Sequence, residues 1–237
     1  MKRGFLVLAL AAFVAGGVFA DSLFSVGGGF SFDGGRLGSV PFEGSDSGAG
    51  WSESWSGFEG FNATGFGGHV FFDMTFVEFS IGLMGGPMHG VMHEEFSWTD
   101  NGDSGSGTFR GLYKGTFLAL DFSLLGRLPF AIGNGNASIF PLLGIGANIV
   151  LSARTLNGDD VADLFGDDHS AVNFSTFRFQ FGVGADFNIT DSVFFRISAL
   201  GNYRFAPTLI RDWADEAGEN HRGGFGGAVR MGVGFRL

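Results

Sequence analysis

The C-terminal end of the chain alternates strictly between apolar residues and polar or small ones. Val229, Met231, Val233, Phe235 and Leu237 share one side of an extended strand, and arginines and glycines occupy most of the other side. Every second residue of a barrel strand in a bilayer contacts lipid, while the remaining residues face a polar lumen. The pattern therefore predicts the closing strand of a transmembrane β-barrel.

The same period-two alternation recurs along the chain and predicts an all-β protein. It is clearest at residues 176–187, where phenylalanines alternate with polar residues and glycines. The eight predicted strands cover about residues 23–32, 64–72, 76–85, 112–124, 138–151, 176–187, 193–205 and 228–237. We therefore expect an eight-stranded antiparallel transmembrane β-barrel, the smallest even strand number for such barrels.

The connections between the predicted strands alternate between long and short. A loop of about 30 residues follows the first strand, loops of roughly 20 residues follow the third and fifth, and a somewhat shorter loop follows the seventh. Long extracellular loops and short turns at the end that holds both termini are typical of outer-membrane barrels. The connection 125–137 is too long for a short turn, but Asn134-Gly135 within it is a hairpin signal. We expect the flanking strands to extend into that connection.

Residues 1–20 have the organisation of a secretory signal peptide. Lys2 and Arg3 precede an apolar run, and Val18-Phe19-Ala20 fits the small-x-small cleavage rule. Residues 21–237 then form a single barrel domain. The chain has no cysteine, so it has neither disulfides nor a thiolate metal site. Its net charge of −10 argues against a nucleic-acid partner.

Several charged residues occupy the alternate strand positions that face the lumen, which we call positions of lumenal parity. An uncompensated charge in a narrow lumen is costly, so we expect these residues to pair with one another as a lumen charge network. Antiparallel pairing around a turn near Thr190 sets Asp186 against Arg196, so we expect a cross-strand ion pair there. The network can be a structural plug that fixes the barrel, or a gate whose ion pairs rearrange to pass small solutes. Its predicted members are Glu78, Asp121, Asp186, Arg178, Arg196, Arg230 and Arg236.

Two further sets of residues are candidates for contact with small molecules. The predicted apolar lining of the lumen consists of Phe71, Phe117, Phe140, Leu142 and Phe194. The predicted first loop carries Trp51, Trp55, Phe58 and Phe61. These aromatic residues can form a lid over the barrel mouth, rest at the lipid interface or meet a partner.

The predicted loops carry most of the 24 acidic residues, which favours a solvated surface. His89, His93 and Glu94 could ligate zinc only if their segment were helical. No calcium-loop spacing, nucleophile elbow or phosphate loop is present. We expect no catalytic residues, no metal and no cofactor, and therefore no enzyme.

The C-terminal pattern resembles the signal that outer-membrane barrels present to the barrel-assembly machinery. Its elements are Gly232, Phe235 and the terminal Leu237, where that family usually ends in Phe. With the predicted architecture, this makes the chain similar to the small eight-stranded bacterial outer-membrane barrels of the OmpW, OmpX and OmpA-barrel type. The resemblance implies a bacterial outer-membrane location, with membrane lipid and the assembly machinery as partners.

Two functions are compatible with that resemblance, because a fold does not fix a function. An OmpW-like protein would provide a narrow channel or lateral-transfer path for small hydrophobic molecules. The alternative is a structural or adhesive surface protein with a plugged lumen, whose acidic extracellular loops bind host or matrix partners.

Overall fold

A computed structural model of the protein describes residues 24–48, 51–133, 135–156, 158, 170–217 and 221–237. The predicted signal peptide, 1–20, lies outside these residues. The strands are β1 (Phe24–Gly48), β2 (Trp51–Met74), β3 (Val77–Asp100), β4 (Asp103–Arg127), β5 (Phe130–Ile132), β6 (Ala137–Thr155), β7 (Thr176–Asn188), β8 (Val193–Arg204) and β9 (Arg222–Arg236). The helices are a 3-10 helix (Ala171–Phe174) and α1 (Thr208–Ala217).

Eight long strands of the described residues close into one antiparallel ring. The order is β4-β3-β2-β1-β9-β8-β7-β6, and β4 also pairs with β6. The first strand pairs with the last, with Val26 opposite Phe235. The N–H of Leu237 donates to the carbonyl of Phe24 at 3.0 Å, so both chain ends of the ring lie together. The predicted eight-stranded antiparallel barrel is confirmed.

The outer surface of the ring is a belt of exposed apolar side chains. Phe30, Leu143 and Val183 are each more than 60% exposed, and the rings of Phe30 and Phe66 stack at 6.1 Å between their centroids. The alternate positions on the same strands face inward and are small or polar, as the period of two requires. An apolar outside around a polar inside is the arrangement of a transmembrane β-barrel.

The strand pairs β1–β2 and β3–β4 extend beyond the ring. We call this extension the projecting sheet (residues 40–48, 51–59, 92–100 and 103–111). The pairing of β1 with β9 ends at Ser39, and that of β4 with β6 ends at Gly115. The first two predicted long loops are therefore wrong, because they are mostly paired strand. The sequence signals for these strands are the alternation from Trp51 onward and the turn Asn101-Gly102, whose φ angles are 47° and 99°.

The connection after β4 also contains strand structure. β5 pairs with the start of β6, with Phe130 opposite Ile139, so the expected extension into this connection is present as a small hairpin. The hairpin turn includes Gly133 and Gly135, with φ of 58° and 87°. Asn134 itself lies outside the described residues.

The end of the ring opposite the chain termini, called here the hairpin end, is packed by helices. Ile210 and Ala214 of α1 and Phe174 of the 3-10 helix belong to a buried apolar cluster with Phe61 and Met88 of the strands. The rings of Phe61 and Phe174 meet edge to face at 5.7 Å. Within the described residues, no helix is long and apolar enough to cross a bilayer. The helices instead pack against the strands at this end.

Candidate functional site

The lumen holds a balanced set of buried charges. Among the described residues, five arginines and five carboxylates form a connected network of ion pairs, and each of these side chains is at most 7% exposed. The network falls into a lower group near the chain termini and an upper group nearer the hairpin end. The lower group is Asp73, Glu78, Arg127, Asp186 and Arg196, and the upper group is Asp33, Asp121, Arg178, Arg204 and Arg230.

Arg196 is the centre of the lower group. Its Nε donates to Asp186 Oδ1 at 2.6 Å, and its Nη2 donates to the other oxygen of Asp186 at 2.8 Å. It also binds both oxygens of Asp73, at 3.0 and 2.7 Å, and Glu78 Oε2 at 2.9 Å. Arg127 donates to Asp73 at 2.7 Å and to Asp186 at 3.0 Å, and so links these two carboxylates. These charge-assisted hydrogen bonds tie β2, β3, β4, β7 and β8 together across the lumen.

Aromatic rings enclose the lower group. The guanidinium carbon of Arg196 lies 4.5 Å from the ring centre of Phe71, 5.0 Å from that of Phe194 and 5.3 Å from that of Phe140. Arg127 lies 4.1 Å from the Phe140 ring. At these distances the rings stabilise the cations and exclude water from them. The lumen is therefore filled at this level.

The upper group is built around two carboxylates. Arg178 binds Asp33 at 2.9 Å and also Asp121, and Arg204 also binds Asp33. Arg230 donates to Asp121 at 3.1 Å and approaches Glu78 of the lower group at 3.8 Å. The two groups are therefore linked through Arg230, and together they cross the lumen.

The structure brings most of the predicted charge network together. The expected ion pair between Asp186 and Arg196 is present, and Arg230 lies between Asp121 and Glu78 as expected. Arg236 is an exception, since it donates instead to the carbonyl of Asp191 at 3.1 Å, in the turn after β7, and to the side chain of Asn188, the last residue of β7. Because Arg236 ends β9 below the lower group, no carboxylate of the described residues pairs with it.

Four members of the network were missed by sequence reasoning. Asp33 and Arg127 lie on strand segments that the predicted boundaries end too early, and Asp73 lies between the second and third predicted strands. Arg204 has lumenal parity in the seventh predicted strand but was not placed in the network. Extending each strand by its parity would have found all four, since each lies an even number of residues from an inward-facing position.

Above the upper group lies a pocket with mainly apolar walls, called here the upper pocket. Its enclosed volume is about 20 Å³, and the figure rises to about 430 Å³ when the space open to solvent is counted with it. The apolar walls come from β1, β2, β3, β4, β6 and the 3-10 helix, and Asp33, Asn148, Thr176 and Arg204 supply the polar positions. The apolar lining residues are Leu37, Ala63, Met84, Met88, Phe117, Val150 and Phe174. A concave apolar site with a few polar groups at one end is typical of small-molecule binding sites.

Several buried polar atoms near this level have no hydrogen-bond partner among the residues that the structure describes. They are Thr176 Oγ1, Arg178 Nε, Asn202 Nδ2 and both polar atoms of the Gln180 amide. All four residues lie on the inward face of β7 and β8 and are at most 5% exposed. Buried polar groups are normally satisfied by protein, water or a ligand. This side of the lumen therefore has unused capacity for hydrogen bonding.

Among the described residues, the hydrogen-bonded pairing of β6 with β7 is interrupted beside the pocket. The pairing of β6 with β7 ends at Asn148 and Thr176, whereas β6 continues to Thr155. The 3-10 helix covers the exposed side of β6 there, and the N–H of Val150 donates to the hydroxyl of Ser175 at 3.0 Å. Two strands that stop sharing backbone hydrogen bonds leave a lateral interruption at this height of the wall.

The predicted apolar lining does not form one continuous path. Phe71, Phe140 and Phe194 pack against Arg196, and Leu142 lies with Phe140 in a buried cluster that does not include Phe117. Phe117 is the member that lines the pocket. The reason is that the lower group occupies the space between the phenylalanines.

The predicted aromatic lid is divided. Phe61 is buried beneath the helices, whereas Trp51 is 41% exposed at the tip of the projecting sheet. Trp51 has lumenal parity but lies far along the sheet, at the end of β2 remote from the ring. The side chains of Trp55 and Phe58 lie outside the described residues.

The potential zinc ligands His89 and His93 lie on β3 rather than on a helix, opposite Asn62 and Phe58 of β2. Four residues of strand separate them by about 13 Å. In the part of the chain that the structure describes, no group of three or more possible metal ligands is present.

Comparison with protein-family models gives no match. Comparison with curated proteins gives no match either. Among solved structures, the outer membrane protein OprG from Pseudomonas aeruginosa is similar over 90% of this chain and 95% of its own, with 12% identity and a TM-score of 0.41.

Two autotransporter domains are also similar. The translocator domain of NalP from Neisseria meningitidis aligns with 100% of this chain and 97% of its own, with 11% identity and a TM-score of 0.23. The β domain of the Bordetella autotransporter BrkA aligns with 86% and 98%, with 14% identity and a TM-score of 0.18. At this level of similarity, none of these proteins assigns a function to this chain.

Proposed function

We propose that the protein is a bacterial outer-membrane barrel that takes small, largely apolar molecules into the upper pocket and releases them sideways into the membrane. The observation that carries the proposal is the pocket, which lies above a filled lumen and beside the interruption between β6 and β7. The apolar belt and the closed ring support the membrane location.

The ion-pair network argues for lateral rather than axial movement. An axial path would have to separate both groups, in which Arg196 alone donates five hydrogen bonds to carboxylates. Parting buried ion pairs without replacing their partners is strongly unfavourable. The lateral route crosses no ion pair of the lower group, because the pocket already borders Val150 and Thr176.

Binding to the pocket can be tested with an uncharged fluorescent probe, N-phenylnaphthylamine, and the full-length protein in nanodiscs. Ala63→Leu places additional volume in the pocket, and Ala199→Leu is its matched control because Ala199 is exposed on the outer surface. We expect Ala63→Leu to weaken probe binding strongly and Ala199→Leu to leave it unchanged. Equal binding by all three proteins would contradict the proposal.

Lateral release can be tested by closing the interruption. Val150→Cys combined with Ser175→Cys would join β6 to the segment before β7, at residues already in contact and in a chain without cysteine. Oxidation should stop delivery of the probe into the surrounding membrane, and reduction should restore it. Unchanged delivery after complete oxidation would rule out this route.

The projecting sheet supports the second candidate function, a surface protein that binds an external partner. Its lumenal-parity face carries Trp51, Phe96 and Trp98, with Glu53 and Asp100 among them. Trp98 is 43% exposed. If this function is correct, replacing Trp51 and Trp98 with serine should abolish attachment of expressing cells to matrix-coated surfaces while probe binding in the pocket persists. Attachment that survives this change would count against it.

A further inference from the structure

The floor of the upper pocket carries more positive than negative charge. The upper group contains three arginines and two carboxylates, Asp33 and Asp121. The compensating negative charge belongs to the lower group, whose only ion pair with the upper group is the 3.8 Å approach of Arg230 to Glu78 within the described residues. A bound monoanion would therefore balance the upper group locally.

Arg204 is the arginine of this group with the least carboxylate contact. Arg178 and Arg230 each meet two carboxylates, whereas Arg204 meets Asp33 alone and shares it with Arg178. The Nε of Arg204 donates to Asn202 Oδ1 at 3.0 Å, and its Nη1 donates no hydrogen bond within the described part of the chain. Arg204 lines the pocket, so its guanidinium can receive a further acceptor.

A second unused donor lies at the same floor. Thr176 also lines the pocket, is 5% exposed, and has a buried hydroxyl that meets no hydrogen-bond partner in the described part of the chain. A carboxylate can accept from a guanidinium and a hydroxyl together, whereas an ammonium group could accept from neither and would meet the excess positive charge. The walls above are apolar and suit an alkyl chain.

From these observations we propose that the ligand of the pocket is an amphipathic carboxylate, an alkyl chain ending in a carboxylate, and that Arg204 determines this specificity. The inference rests on the proposed binding function of the pocket and adds the chemical class of the ligand. Thr176 contributes a hydrogen bond to the same head group.

The test is calorimetric titration of the full-length protein, in nanodiscs of zwitterionic lipid, with decanoate, decanol and decyltrimethylammonium. Decanoate should bind at least about tenfold more tightly than decanol, because hydrogen bonds to a charged group contribute more than those to a neutral one. The cation should bind most weakly. If neither decanoate nor decanol binds, the proposed function itself fails.

Arg204→Gln should lower the affinity for decanoate to about that for decanol, and so remove the preference for the carboxylate. Arg211→Gln, at an exposed position of α1, is the matched control and should behave as the unmodified protein. If Arg204→Gln fails to fold, the Thr176→Val variant provides the test, because it retains every charge of the network. It should weaken the binding of decanoate but not that of decanol. Equal affinity of the unmodified protein for decanoate and decanol, or parallel loss of both ligands in the folded variant, would overturn the inference and leave the pocket in place.

Discussion

Replacing Arg196 with alanine should destabilise the barrel more than any other single change in the lower group. Arg196 donates five hydrogen bonds to three carboxylates and is 5% exposed on its side chain. Its loss leaves Arg127 as the one arginine of the lower group beside three carboxylates, so the charge of the group changes from −1 to −2. Asp73 and Asp186 retain Arg127, while Glu78 retains only the 3.8 Å approach of Arg230.

We expect the free energy of unfolding to fall by about 3–5 kcal/mol, the usual cost of removing one partner from a buried ion pair. The double change Arg196→Ala with Asp186→Ala restores the charge of the group to −1. It should therefore be less destabilised than Arg196→Ala alone, with a coupling energy in the range of about 0.5–3 kcal/mol for residues in contact.

The measurement is urea unfolding of the barrel in lipid vesicles, followed by tryptophan fluorescence and by the heat-dependent mobility of the folded form on gels. Arg211→Ala, at an exposed position of α1, serves as the control and should change stability little. A loss below about 1 kcal/mol for Arg196→Ala would mean that water screens the pair. A double variant less stable than the single one would refute the charge argument.

Three further predictions concern the seam between β1 and β9, where the barrel closes. Gly29→Ala should lower the free energy of unfolding by about 1–3 kcal/mol, because a Cβ atom there would lie 1.9 Å from the carbonyl oxygen of Met231. Gly68→Ala is the control and should be tolerated, because the nearest atom to its Cβ would be 3.8 Å away. The double variant Phe30→Cys with Met231→Cys should cross-link on oxidation, because these residues lie directly opposite each other on β1 and β9. The control pair Phe30→Cys with Phe235→Cys should not cross-link, and the reverse result would mean a different strand register. Phe235→Asp should prevent assembly, since Phe235 is 51% exposed on the outer belt, and recovery of the heat-modifiable form from outer membranes would contradict this.

Period-two alternation was sufficient to predict the ring, its strand number and the lumenal parity of most network residues. Lipid surrounds the barrel and ion pairs fill its lumen, so outward and inward positions of each strand require different residue types. The alternation is therefore visible in the sequence. The ion pair of Asp186 with Arg196 was predictable because a short turn fixes the register of β7 and β8.

The parts that sequence reasoning missed depend on contacts between distant strands. Asp33 meets Arg178 and Arg204 across the lumen, and no spacing along the chain specifies that meeting. The pocket likewise requires knowing that Phe174 lies over the lumen. The projecting sheet was predictable in part, since Asn101-Gly102 is a hairpin signal, but its Ser- and Gly-rich strands were read as loops.

The most direct test of the account is cysteine accessibility from outside the cell, using a membrane-impermeant thiol reagent on a chain that has no cysteine of its own. Phe117→Cys lies in the wall of the upper pocket, and Ser80→Cys lies below it, where the Ser80 hydroxyl contacts Arg230 at 3.0 Å. The account predicts labelling of Phe117→Cys in intact cells and labelling of Ser80→Cys only after unfolding. Equal labelling of both positions in the folded protein would mean that the ion-pair network does not seal the lumen, and would contradict the account.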